Sequence, residues 1–166
     1  MSNEGTITIN DTIRKTLINY RKACEQAWCE ETASPNLRPI AGKPLSTGQC
    51  SATSVVLNRE FQRQAIEGYF KIAIGAVYDA VSNEALIPLH VWLQYYQDAF
   101  SEPEIIDITA DQSARINGKI FYESPTNLLK SGLFYQVWSL LDESQCKERT
   151  LLRAEILEGL LAEACV

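Results

Sequence analysis

The sequence predicts a single α+β domain over residues 1–166, with N-terminal helices packed on a mostly antiparallel β-sheet and a helix at the C-terminus. Two patterns predict this class: apolar residues recur at helical spacing near both ends, and apolar and polar residues alternate in the middle. The composition agrees, because 46% hydrophobic and 22% charged residues are typical of a globular protein. A chain of 166 residues can also bury a sizeable core.

Three helices follow from the spacing of apolar residues. The Asn10-Asp11-Thr12 segment is typical of a helix start, and the pattern after it predicts a helix over 11–30. After a loop rich in proline and glycine, a second helix begins at Cys50 and runs to about residue 63. Leucine and isoleucine residues at helical spacing predict a third, amphipathic helix over 144–165.

The middle of the chain alternates between apolar and polar residues, as half-buried strands do. This alternation predicts one or two strands over 65–79, a strand over 85–96 and another over 104–109. The Asn-Gly pair within 116–122 is typical of a tight turn, so we expect a short hairpin or a further strand there.

Charge excludes some partners. The net charge is −6 and the acidic residues are spread along the chain, whereas nucleic acids and anionic membranes attract basic patches. We therefore expect neither a nucleic acid nor a membrane as partner. The first residues lack the pattern of a signal peptide, and no apolar run is long enough to span a bilayer.

The cysteines favour a reducing compartment. There are five, an odd number, and none forms a CxxC pair, so free thiols in the cytoplasm are expected rather than a disulfide framework. Cys24 and Cys29 have no second close cysteine pair, and the chain holds one histidine. We therefore expect no metal and no cofactor.

Cys50 is the candidate nucleophile. It follows Gly48 and Gln49 and stands at the start of a predicted helix, where free backbone N–H groups and the helix dipole stabilise a thiolate. The same N–H groups can receive the oxyanion that forms when a thiolate attacks a carbonyl, and the Gln49 amide could join them. The structural alternative is a small buried residue at a loop–helix junction.

His90 and Asp107 are the candidate base and its orienting carboxylate. If their strands form an antiparallel hairpin centred between Asp98 and Ala99, the two residues lie opposite each other. A register shifted by two keeps them on one face along a diagonal, and a shift by one separates them. One imidazole nitrogen would then face the carboxylate and the other Cys50. Alternatively, both residues have purely structural roles.

Three further residues are considered near the site. Trp92 shares the face of His90 under strict alternation, so it either walls the site or belongs to the core. Gln112 is a candidate polar contact in the cleft. Asp111 could replace Asp107 as the orienting carboxylate, but it lies past the predicted strand end.

Several of these residues carry a family resemblance, roughly over residues 25–112. The chain resembles the small uncharacterised bacterial YunG-like family, which shows a tryptophan, an ET pair, a GQC motif followed by a helix, a histidine on a strand and a D-x-T-x-x-Q stretch. The matching residues here are Trp28, Glu31-Thr32, Gly48-Gln49-Cys50, His90 and Asp107 to Gln112. The chain departs from this pattern between residues 61 and 89, where it is longer and poorer in glycine.

A broader resemblance concerns the strands. His90-x-Trp92 followed by Asp107-x-Thr109 is similar to the pattern of transglutaminase-like domains within the papain-like cysteine superfamily. It implies one cysteine-hydrolase-like domain with a papain/transglutaminase-like core and a Cys50–His90–Asp107 triad. It also implies acyl transfer through a thioester, as in an amide or isopeptide hydrolase, a deamidase or a transglutaminase, acting on a protein, peptide or other amide.

Two other functions stay open at this point. The chain could be an inactive binding or regulatory module that keeps the papain-like fold, in which case replacing Cys50 by serine would leave its binding intact. It could also be a redox-sensing thiol protein, which requires a resolving cysteine beside Cys50; Cys24, Cys29 and Cys146 are the candidates. The sequence does not indicate an oligomeric state.

Overall fold

The computed structural model describes residues 7–35 and 42–164. Within these ranges the chain forms an α+β fold with a five-stranded antiparallel sheet, and its last described element is a helix, as predicted. The helices are α1 (Ile9–Ala27), α2 (Cys50–Arg63), α3 (Pro125–Lys130) and α4 (Glu148–Ala164). The strands are β1 (Tyr69–Asp79), β2 (Ala85–Tyr96), β3 (Glu104–Asp107), β4 (Phe121–Glu123) and β5 (Leu133–Leu141), in the spatial order β4-β3-β2-β1-β5.

The predicted helices differ from the observed ones mainly at their ends. Helix α2 has the predicted bounds. Helix α1 starts at Ile9, earlier than predicted, because Thr8 and Asp11 form a reciprocal capping box, and it ends at Ala27 rather than at residue 30. Helix α4 begins only at Glu148, since residues 143–145 form a separate 3₁₀ turn; position 165 lies outside the described residues.

The strands β2 and β3 follow the prediction, with one shortening. Strand β2 spans the predicted residues 85–96, whereas β3 stops at Asp107, because the Asp107 side chain captures the backbone N–H of Thr109 and turns the chain. Strand β1 starts at Tyr69 and not at 65. The residues before it adopt positive φ at Ala65 and Gly68, which a strand does not accommodate.

The prediction of a strand or hairpin over 116–122 is wrong for most of that segment. Only β4, at its end, is extended and paired, and Gly118 has φ of 139°, outside the range of a strand. Helix α3 and strand β5 were not predicted. Strand β5 pairs antiparallel with β1 and forms an edge of the sheet.

The sheet carries an apolar cluster on each face. Alternate residues of a strand point to opposite faces, so Leu93 joins the cluster formed with α1, α2 and α4, while Trp92 joins the cluster with Ile105 and Tyr135. The candidate residues lie on three elements: the start of α2, the strand β2 and the end of β3. The site is built where they meet.

Gly75 on β1 pairs with His90 on β2 and with Val137 on β5. A Cβ atom at this position would lie 1.8 Å from the carbonyl oxygen of Gln136 and 2.8 Å from the ring of Trp92. Both distances are shorter than any van der Waals contact. The close approach of β1 to its neighbours therefore requires glycine at residue 75.

Across the described ranges, each helix is too short or too polar to cross a membrane.

Candidate active site

Helix α2 begins at Cys50 without a side-chain cap. Gly48 has φ of 76°, which lets the chain turn sharply, and the Gln49 N–H closes the turn on the Ser46 carbonyl at 3.0 Å. The start of α1 is closed by a capping box, whereas the N-cap residue of α2, Gln49, makes no side-chain capping hydrogen bond, and no other described side chain accepts from the first N–H groups of α2. Those donors lie beside the Cys50 sulfur and can serve an anion.

The Gln49 side chain is engaged inside the protein. It is 0% exposed; its Oε1 accepts from the Thr32 hydroxyl at 2.7 Å, and its Nε2 donates to the Cys29 carbonyl at 3.0 Å. This amide therefore ties the turn after α1 to the start of α2. The structure places the predicted oxyanion donor in a bracing position, and the backbone N–H groups of α2 remain as donors for an oxyanion.

Strands β2 and β3 bring His90 and Asp107 together along a diagonal. Leu93 pairs with Ile106, a register offset by two from the one that would set His90 directly opposite Asp107, so both side chains stay on one face. The His90 Nε2 and Asp107 Oδ2 atoms lie 2.6 Å apart. The two residues are 0% and 2% exposed. They form a fully buried imidazole–carboxylate pair.

Asp107 is held by several donors besides His90. Its Oδ1 accepts from the Thr109 N–H at 2.8 Å and from the Thr109 hydroxyl at 3.1 Å, and its Oδ2 accepts from the Tyr135 hydroxyl at 2.8 Å. Burial alone would raise the pKa of Asp107, but His90 and these donors outweigh it and lower that pKa. Burial and the neighbouring carboxylate raise the pKa of Tyr135 far above its ordinary value. Asp107 is therefore a carboxylate.

His90 uses its two ring nitrogens differently. Nε2 faces Asp107, and Nδ1 lies 2.9 Å from Nε2 of Gln112, which also donates to the Thr109 carbonyl at 3.2 Å. Burial alone would lower the pKa of His90. The charge and hydrogen bond of Asp107, joined by those of Cys50, outweigh burial and raise that pKa. Cys50 is thus close enough to affect the pKa of the ring, and Nδ1 is the ring nitrogen that does not face Asp107.

The start of α2 can reach a side chain on β2 because β3 leaves part of β2 uncovered. Strand β3 pairs only with residues 93–95 of β2, and the Ser54 hydroxyl of α2 donates to the Val91 carbonyl at 3.3 Å. The first turns of α2 thus pack against β2 beyond the end of β3. This contact brings Cys50 and His90 to the same place.

Trp92 borders the imidazole. Its ring stacks on His90 with centroids 5.8 Å apart and meets Tyr135 edge-on at 5.0 Å. It is buried, and its indole N–H has no hydrogen-bond partner among the described residues. Trp92 therefore belongs to the core and at the same time fixes the plane of the His90 ring.

Asp111 is not the orienting carboxylate. It lies in a 3₁₀ turn after β3, where its two oxygens accept from the Arg21 guanidinium at 2.7 Å each. Arg21 also donates to the Ile108 carbonyl at 2.6 Å, so this ion pair secures the segment that carries Gln112. Sequence reasoning missed Arg21 and Tyr135, and β5 shows no alternation of apolar and polar residues that could have marked Tyr135.

The arrangement provides a thiol, an imidazole held by a carboxylate, and free N–H donors at one point. Across residues 7–35 and 42–164, no group of three or more His, Cys, Asp or Glu side chains is placed to hold a metal ion. Compared with models of known protein families, with curated proteins and with solved structures, the chain matches none of them.

Proposed function

We propose that this protein is a cysteine-dependent acyl-transfer enzyme that cleaves an amide or isopeptide bond through a thioester on Cys50. The observation that carries the proposal is the buried His90–Asp107 pair, joined at 2.6 Å, beside a cysteine at the uncapped start of a helix. Burying a charged pair is costly, and such pairs with shifted pKa values concentrate at functional sites.

Before the first half of the reaction, the proton of the Cys50 thiol passes to His90 Nδ1, and the raised pKa of His90 favours the resulting thiolate–imidazolium pair. The thiolate sulfur then attacks the substrate carbonyl carbon. The carbonyl oxygen becomes an oxyanion, which the N–H groups at the start of α2 receive. The imidazolium then gives its proton to the leaving nitrogen, the C–N bond breaks and an amine departs. Asp107 keeps Nε2 protonated and stabilises the transient imidazolium throughout.

In the second half, water attacks the thioester while Nδ1 accepts its proton, and collapse of the second oxyanion returns the thiol and releases a carboxylic acid. We favour water because it is the default second nucleophile. Deamidation of glutamine follows the same steps with ammonia as the leaving group, and transamidation differs only in using an amine in place of water.

We further propose a papain/transglutaminase-like core and kinship with the YunG-like family. The residues that carry these resemblances contact one another, which supports the proposal. The Trp28 indole donates to the Thr53 hydroxyl at 3.0 Å, and the Thr32 hydroxyl donates to Gln49 at 2.7 Å. The four described cysteines are free thiols, which suits the cytoplasm as the proposed compartment.

Site-resolved alkylation tests the proposal. At pH about 7, where an ordinary thiol is mostly protonated, iodoacetamide should label Cys50 faster than Cys29 and Cys146, with mass spectrometry reporting each site. His90→Ala should slow Cys50 labelling about 100-fold and leave the other two cysteines unchanged. His90→Gln gives a second variant that keeps a polar group in the buried site, and circular dichroism checks both for folding.

The opposite result is equally informative. If Cys50 in folded protein is labelled no faster than Cys29, or if neither His90 variant changes its rate, the nucleophile proposal fails. The binding module would then be the better account, and capture of a partner by Cys50→Ser protein would be the next experiment.

A further inference from the structure

A cleft of about 380 Å³ opens beside Cys50. Most of its wall is apolar and comes from the sheet and from α2, and its far end is formed by the start of α4. Among the described residues that line it, the charged ones are Lys147 and Arg153, and none is a carboxylate. The chain as a whole is acidic, with a net charge of −6, so the positive charge of this described lining is opposite in sign to the charge of the protein.

Arg153 differs from Arg21, which is buried, and from Arg59, which is half-buried like Arg153 itself. Arg21 and Arg59 each contact two carboxylates, whereas no described carboxylate lies within ion-pair distance of Arg153. Its Nη2 donates to the hydroxyls of Ser51 at 3.2 Å and Thr150 at 3.3 Å. Its Nε is buried with no partner among the described residues. A buried donor without an acceptor calls for an explanation, and a ligand is one.

Arg153 lies close to the candidate nucleophile. Ser51, which accepts a hydrogen bond from Arg153, directly follows Cys50 in the chain. Burial lowers the pKa of Arg153, the charge of Cys50 opposes part of that lowering, and the nearby Arg149 adds to it. Arg153 is placed there because Ala154 and Leu157 pack α4 into the helical core. Lys147 and the positive end of the α4 dipole add to the positive electrostatic potential of the cleft.

We propose that Arg153 is a specificity residue that binds a carboxylate of the substrate in this cleft. The inference rests on the proposed function of Cys50 and narrows its substrate class to amides whose acyl side carries an apolar portion and an anionic group. The apolar walls accommodate the former, and a guanidinium pairs with a carboxylate by charge-assisted hydrogen bonds. The released product would then carry two carboxylates, the one already present and the one formed by hydrolysis.

A different role for Arg153 must be distinguished from this one. A cation near Cys50 could act on the thiolate alone, without contacting a substrate. In that case removing the charge would slow every alkylating reagent alike. If Arg153 binds the substrate, its removal should instead slow the labelling of Cys50 by anionic reagents more than the labelling by neutral ones.

Two reagents of nearly equal size separate these roles: iodoacetate, which is anionic, and iodoacetamide, which is neutral. With Arg153→Met we expect the Cys50 rate with iodoacetate to fall about tenfold, as for the loss of one charge-assisted contact, and the iodoacetamide rate to change less than about twofold. Arg153→Lys keeps the charge and should retain most of the iodoacetate rate. Arg115→Met, a matched control at an exposed arginine outside the cleft lining, should change neither rate. A parallel fall of both rates, or no fall in either, overturns the proposal.

A second measurement does not depend on thiol chemistry. We expect 3-phenylpropionate to shift the Nε–Hε resonance of Arg153 in NMR spectra, and the uncharged 3-phenylpropanamide to leave it unshifted. If Cys50 is inert to both iodo reagents but this shift occurs and disappears in Arg153→Met, the proposed function fails while the anion site stands. Absence of a carboxylate-specific shift overturns the anion site whatever the reactivity of Cys50.

Discussion

The two nitrogens of His90 face opposite surroundings. On the Nε2 side, Asp107 is buried and receives four hydrogen bonds, counting those from His90, Tyr135 and both donors of Thr109. On the Nδ1 side lie Cys50, which lines a cleft, and a partly buried Gln112. The carboxylate on the first side is held by donors from three residues, whereas on the second side the described hydrogen-bond partner of Nδ1 is Gln112, with Cys50 nearby. We infer from this difference that Asp107 holds a permanent negative charge beside Nε2, while Nδ1 is the atom that exchanges a proton.

Asp107→Asn removes the negative charge beside His90 Nε2 and should change the reactivity of Cys50 more than the other variants do. The neutral amide cannot stabilise the imidazolium, so we expect Cys50 labelling by iodoacetamide to slow about 100-fold, somewhat less than the loss measured for such a change in serine proteases. The measurement is the rate at Cys50 in folded protein. Asp98→Asn, in the exposed turn between β2 and β3, is the matched control and should leave the rate unchanged. An unchanged rate in Asp107→Asn would remove Asp107 from the mechanism.

The pH dependence of the free energy of unfolding tests the His90–Asp107 pair. The pKa of His90 is raised on folding, so its contribution to stability is complete below about pH 6.5 and is lost as pH rises toward the folded-state pKa. The pKa of Asp107 is lowered, so its contribution is present above about pH 4 and is lost on acidification through the folded-state pKa. The pair therefore stabilises the fold most between about pH 4 and 6.5.

We expect the free energy of unfolding to decline by at most about 1.4 kcal/mol per pH unit above pH about 6.5, relative to the His90→Gln variant. Urea unfolding at a series of pH values measures this slope. The chain has no other histidine, so the difference between the two proteins isolates one titration. Parallel curves would show that His90 and Asp107 are not an ion pair in solution.

Gln112→Ala removes the hydrogen-bond partner of His90 Nδ1 and should change the reactivity of Cys50 least. The amide donates to Nδ1, which favours the neutral imidazole and competes with the Cys50 thiol for the same lone pair. Its removal should therefore speed Cys50 labelling about fivefold, the equivalent of one neutral hydrogen bond. Gln136→Ala, on the exposed edge strand, is the control. A slower reaction in Gln112→Ala would mean that the amide orients the ring instead of competing for it.

The sequence was informative where local rules decide the structure. The start of helix α2 and its approximate end could be predicted because a glycine turn and an apolar stripe are local signals. The diagonal placement of His90 and Asp107 was among the registers that their spacing permits. The Asp107-x-Thr109 motif also has a local cause, since the carboxylate captures the N–H two residues ahead.

The remainder depends on contacts between distant segments. Tyr135 reaches Asp107 only because β5 pairs with β1 at the edge of the sheet, and no local pattern reports that pairing. The engagement of Gln49 by Thr32, and of Asp111 by Arg21, likewise joins elements far apart in the chain. The apolar pattern of α4 does not indicate whether Arg153 faces the core or the solvent. Its contact with Ser51 results from the packing of α4 on α2.

The glycine at position 75 has a consequence for how mutations in this protein will be interpreted. A methyl group there would push the indole of Trp92 away from the imidazole, although residue 75 touches no reacting atom. In a saturation screen scored on turnover, position 75 should thus appear as intolerant as the nucleophile itself, while abundance of the variants separates misfolding from displacement of the ring. A distant sequence with the same cysteine, histidine and aspartate but a larger residue here would have to support its tryptophan in another way.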